Sequence, residues 1–89
     1  FMSTTTIQEM HYRQGDVVEV QFVEQPDKSW GIEIAYRQNA DLSKLVTING
    51  KEPRSFSIVD RAIRMMEEKL RIAGNTSFNN YKIFPLKTG

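Results

Sequence analysis

Residues 58–73 carry an apolar stripe that cannot stay in water, and this stripe sets the terms for the rest of the chain. Val59, Ala62, Ile63, Met66, Leu70 and Ala73 recur at i, i+3, i+4, i+7, i+11 and i+14, while Asp60, Arg61, Arg64, Glu67, Glu68 and Arg71 take the opposite side. That spacing predicts a helix over 58–73 with one face in a core. Ser57 is the expected N-cap, Asp60 stands at the third helical position, and Gly74-Asn75 is the expected stop. Asp60–Arg64 and Glu67–Arg71 are i,i+4 pairs in the favourable order, each contributing about 0.3–0.5 kcal/mol. One helix cannot bury its stripe alone, so strands must supply the other half of the core.

Two segments read as strands. In 16–24, Val18, Val20 and Phe22 alternate with Glu19 and Gln21, and in 30–37, Trp30, Ile32, Ile34 and Tyr36 alternate with Gly31, Glu33, Ala35 and Arg37. Gln25-Pro26-Asp27-Lys28-Ser29 between them has the chemistry of a hairpin loop. After a polar connector, 38–43, a short β-branched stretch at 44–48 leads to Asn49-Gly50, a strong type I′ hairpin signal. The return strand, 51–56, contains Pro53 and belongs at an edge. A last strand is expected at 81–86. The fold class is therefore α+β: a small antiparallel sheet of three to five strands, in the order β-β-β-(β)-α-β, with the helix packed on one face. Its expected core is Val18, Val20, Phe22, Trp30, Ile32, Ile34, Ile48, Ile63, Met66 and Leu70.

The 89 residues suit one domain, read as 12–89, preceded by a flexible segment 1–11 whose Ser and Thr show little periodicity. Phe1 lies before Met2-Ser3-Thr4-Thr5-Thr6 and is expected to be an added residue ahead of the natural start. Apolar residues make up 39% and charged residues 26%, too apolar a mixture for a disordered chain. No apolar run reaches the roughly 20 residues a membrane helix needs, and the default address is the cytoplasm.

Charge is uneven. Residues 1–43 hold seven acids against three bases, and residues 44–89 hold nine bases against four acids. Such asymmetry suits either a phosphate-facing surface or complementary faces in an oligomer.

Chemistry is sparse. Without cysteine there is no thiolate catalysis, cysteine–zinc site or iron–sulfur cluster. His11 is the lone histidine and has only Glu9 near it, which is too little for a metal site or a serine nucleophile's base. The glycines, at 15, 31, 50, 74 and 89, are too scattered for a phosphate loop. Glu19 and Glu33 are expected on one open sheet face, which does not shelter a carboxyl for acid–base work. No catalytic residue, cofactor or metal is assigned.

Three strands followed by an amphipathic helix, with Trp30 in the middle strand, resemble in architecture alone the plant AP2 and integrase amino-terminal DNA readers. Such readers place Arg and Lys on the exposed sheet face, where this chain has Glu19, Gln21, Glu33 and Arg37. A basic strip elsewhere, Lys51, Arg54, Arg61, Arg64 and Arg71, is the candidate nucleic-acid or phosphate contact. Met65, Ile72, Phe78, Phe84 and Leu86 exceed what the helix stripe needs and are the candidate self-association residues. The leading expectation is a non-catalytic protein-binding or assembly module that forms a homodimer, with a nucleic-acid-binding accessory role as the alternative.

Overall fold

A computed structural model describes residues 3–46, 54–71 and 80–87, with the side chains of 39, 40, 46 and 71 left aside. The elements are β1 (Ser3–Thr6), α1 (Ile7–Tyr12), a 3₁₀ turn at Gln14–Asp16, β2 (Val17–Glu24), β3 (Trp30–Tyr36), β4 (Asn39–Val46), α2 (Val59–Arg71) and β5 (Lys82–Phe84). They form an α+β domain around one five-stranded sheet in the order β1-β4-β3-β2-β5.

The centre is the expected antiparallel meander. β2 and β3 pair from Glu24↔Trp30 to Val17↔Tyr36. Their loop closes as its composition suggests: Gln25 N–H donates to Ser29 O at 2.7 Å and Lys28 N–H to Gln25 O at 2.8 Å. The Asp27 carboxylate accepts from the Ser29 hydroxyl at 2.6 Å and the Ser29 amide at 2.9 Å. Those two bonds, the hydroxyl's first, hold the Asp27 carboxyl below its ordinary pKa. Lys28 takes φ 70°, a left-handed corner that only the closed loop imposes on a lysine.

Both edges correct the reading of an all-antiparallel sheet. β1 runs parallel to β4, Ser3↔Ser43 through Thr6↔Val46, and β5 runs parallel to β2, Gln21↔Lys82 through Val23↔Phe84. The connection from β1 to β2 passes through α1, and α2 lies on the path from β4 to β5; parallel strands need such crossovers. These additions also depart from the three-stranded plan of the DNA readers named above.

Three further expectations change. Residues 1–11, expected to be flexible, are ordered from Ser3 onward. Thr6 caps α1 in a capping box, the Glu9 amide donating to Thr6 Oγ1 at 3.0 Å and the Thr6 amide to Glu9 Oε1 at 3.3 Å, and Met10 is fully buried. The connector 38–43 is instead most of β4. The turn between β3 and β4 is only Arg37-Gln38, and β4 carries two extra residues between Tyr36↔Asn39 and Ile34↔Ser43. Ser43 pairs with β3 on one side and β1 on the other, and Asn39 with β3, so tertiary pairing overrides the weak strand propensity of these polar residues. Val18 leaves the core because Val17↔Tyr36 is followed by Glu19↔Ala35, so Val18 is the extra residue of a bulge. Val17 turns inward instead and Val18 is exposed.

The helix begins at Val59, one residue after the expected start, and its stripe is as read: Ala62, Met66 and Leu70 are fully buried. They meet Met10, Val17, Val20, Phe22, Ile32, Ile34, Tyr36 and Leu45 in one cluster, with Trp30, Val59, Ile63 and Met65 packed around it. α2 and Met10 of α1 thus cover the same side of the sheet. Ile48, the Asn49-Gly50 turn and the stop at Gly74-Asn75 lie outside the described residues. Of the expected return strand 51–56, Phe56 bridges Trp30, and the Arg54 amide donates to Leu45 O at 3.0 Å.

Candidate interaction surface

β5 is short because Pro85 follows Phe84 and has no N–H for a ladder. Past the proline the chain is caught again, the Leu86 amide donating to Glu24 Oε1 at 2.9 Å. On the other side of β2's reach, Lys82 Nζ lies 3.3 Å from Glu19 Oε1. Register fixes the faces. Ile83 stands beside Phe22, on the side covered by the helices, and Phe84 stands beside Val23 on the opposite side. Both remain open, Ile83 at 43% and Phe84 at 44% exposure, as does Leu86 at 40%. Among the described residues β5 ends the sheet order, so an apolar rim borders an edge strand there.

Of the five candidate self-association residues, the structure brings Phe84 and Leu86 together at this rim. Met65 is half-buried against the core, and Ile72 and Phe78 lie outside the described residues. Ile83 belongs with them and was not singled out from sequence. Its signal was available: an apolar pair, Ile83-Phe84, necessarily points to both faces of a strand, so both faces carry an apolar side chain there.

The basic strip is less unified. Arg61 and Arg64 are exposed one turn apart on α2, beside Asp60 and Glu68, which are exposed too. Arg54 lays its guanidinium 4.5 Å from the Phe56 ring centroid. Lys51 lies outside the described residues, as does the Arg71 side chain.

Other groups are occupied structurally. A concavity of about 390 Å³ beside α1 is lined by Thr6, Gln8, Glu9, Tyr12 and Arg13. Its two charged groups already have work: Glu9 closes the helix cap, and Arg13 lies 3.8 Å from the Tyr36 ring centroid. Glu33 stands opposite Gln21 on one side and Lys44 on the other, and Glu19 opposite Ala35. Among the described residues no three His, Cys, Asp or Glu side chains gather as a metal site, and His11 is exposed in the last turn of α1. No helix among them is long and apolar enough to cross a membrane.

Tyr36 ties α1's neighbourhood to the sheet. Its hydroxyl lies 2.8 Å from Thr5 Oγ1, both groups buried. Burial disfavours the phenolate and raises the Tyr36 pKa above its ordinary 10.0, while the Thr5 bond and Arg13 pull the other way. The folded chain therefore keeps this proton to higher pH than the unfolded chain. Stability from Tyr36 is intact below about pH 10 and is lost as pH rises toward the folded pKa. Melting temperature is expected to fall above pH 10, and less steeply in Tyr36→Phe. Parallel declines in the two proteins would refute this.

No family model, curated protein or solved structure matches the chain.

Proposed function

We propose that this chain is a non-catalytic assembly module that associates with a second copy of itself through the rim of β5. The observation that carries the reading is the exposure of Ile83 and Phe84 on the strand that ends the described sheet, with Leu86 exposed just beyond it. An edge strand leaves backbone groups free on its outer side, and apolar side chains flanking it add the desolvation that strand addition needs. A three-residue strand makes a short ladder, so association belongs at micromolar concentrations rather than below.

Sedimentation at about 10–300 µM tests this, across the range expected for a small interface. The mass is expected to rise with concentration from 10.3 kDa toward its double. Phe84→Lys, at an exposed position, is expected to abolish the rise with little change in melting temperature. A wild-type chain that stays at 10.3 kDa throughout removes the reading. The alternative rests on Arg61 and Arg64, exposed one turn apart on α2. Retention of DNA or RNA that falls steeply with salt, and disappears when both arginines are reversed to glutamate, would put that alternative in its place.

A further inference from the structure

We infer that two copies join β5 to β5 antiparallel about a two-fold axis through Ile83, extending the five strands into one sheet of ten with the helices of both copies on the same side. The inference rests on the assembly reading and specifies the partner and register it leaves open.

The other edge of the sheet is a poor mate. β1 offers Ser3 and Thr4, both exposed and polar, and nothing apolar for Ile83 or Phe84 to cover. A β5-to-β1 contact is also head-to-tail, so it runs on into open filaments unless a ring happens to close. β5 against β5 closes at two.

Symmetry then leaves few registers. A two-fold axis perpendicular to a sheet keeps opposed residues on one face, so the axis must pass through a residue: Lys82, Ile83 or Phe84. An axis at Lys82 sets two lysines directly opposite each other, a destabilising pair. An axis at Phe84 sets Pro85 opposite the partner's Ile83, drawing a residue without an N–H into the ladder. An axis at Ile83 avoids both. The Ile83 side chains meet on the helix-covered side. On the other side each Lys82 lies beside the partner's Phe84, its stem free to lie along the ring while its ammonium keeps the 3.3 Å contact with its own Glu19. The two lysines then sit diagonally, separated by two residues along the strand and each facing its own carboxylate. Charge and backbone chemistry thus select the same arrangement.

The absence of cysteine from the chain makes a direct test possible. Single variants Lys82→Cys, Ile83→Cys and Phe84→Cys, all at exposed positions, are oxidised mildly at a concentration where the wild type is dimeric. Directly opposed residues have Cα atoms about 4.5–5.5 Å apart, within disulfide reach, whereas diagonal ones at roughly 7–8 Å fall outside it. Ile83→Cys is expected to give a covalent dimer at least ten-fold faster than Lys82→Cys or Phe84→Cys alone, and a mixture of the latter two is expected to cross-link mainly as the mixed pair. A wild type that dimerises in sedimentation while Ile83→Cys cross-links no faster than the other two overturns this register and leaves the assembly reading standing. A wild type that is monomeric overturns both.

Discussion

Phe22→Ala is expected to lower the free energy of unfolding by about 3–5 kcal/mol. Phe22 heads the largest fully buried side chains, facing Ile32 on β3 and Ile83 on β5, with the Tyr81 ring edge-on at 5.3 Å. Truncation removes the ring's transfer energy and leaves a cavity among side chains held in register by two flanking strands. A domain of this size has roughly 5–13 kcal/mol in hand, so the loss takes a large part of it. Urea unfolding followed by the fluorescence of Trp30, the single tryptophan, measures it. A loss below about 1 kcal/mol would mean that the ring is not enclosed as described.

Met10→Ala is expected to cost about 2–5 kcal/mol, although it lies in the stretch whose composition reads as a loose tail. Met10 is fully buried in the same cluster as Leu70 and Tyr36. The control is two residues away: Tyr12 on the same short helix is 86% exposed, and Tyr12→Ala is expected to stay within about 0.5 kcal/mol. Equal, small effects at both positions would show that α1 is not docked.

The contrast between those positions shows where sequence reasoning reached and where it stopped. The helix stripe and the 17–24 and 30–36 strands were legible because burial imposes a period, and a period of 3.6 or 2 survives in the order of residues. β1 and α1 leave almost no period: a four-residue edge strand of Ser and Thr paired along β4, then six helical residues with a single buried side chain. One local sign was present, Thr6-x-x-Glu9 ahead of Met10, a capping box that composition alone hides. The bulge at Val18 was not legible, since Val17 and Val18 are adjacent and either could lead the alternation that continues through Val20 and Phe22. The parallel edges were out of reach for a related reason. Strand direction comes from which elements the crossovers span, and no local pattern encodes that. At the rim, Phe84 and Leu86 stood out as surplus apolar residues, but only register shows that Ile83 joins them.

The pairing of β1 with β4 also bears on the chain as it is made. Ser3 and Ser43, whose hydroxyls meet at 3.0 Å, are 40 positions apart, so β1 is synthesised well before the strand it pairs with. At typical synthesis rates it waits on the order of 2–8 s. A strand of hydroxylated side chains spends that interval harmlessly in water. The apolar edge has the opposite order: β5 follows the β2 it joins by some 60 residues, so its Ile-Phe pair is made after the strand that receives it.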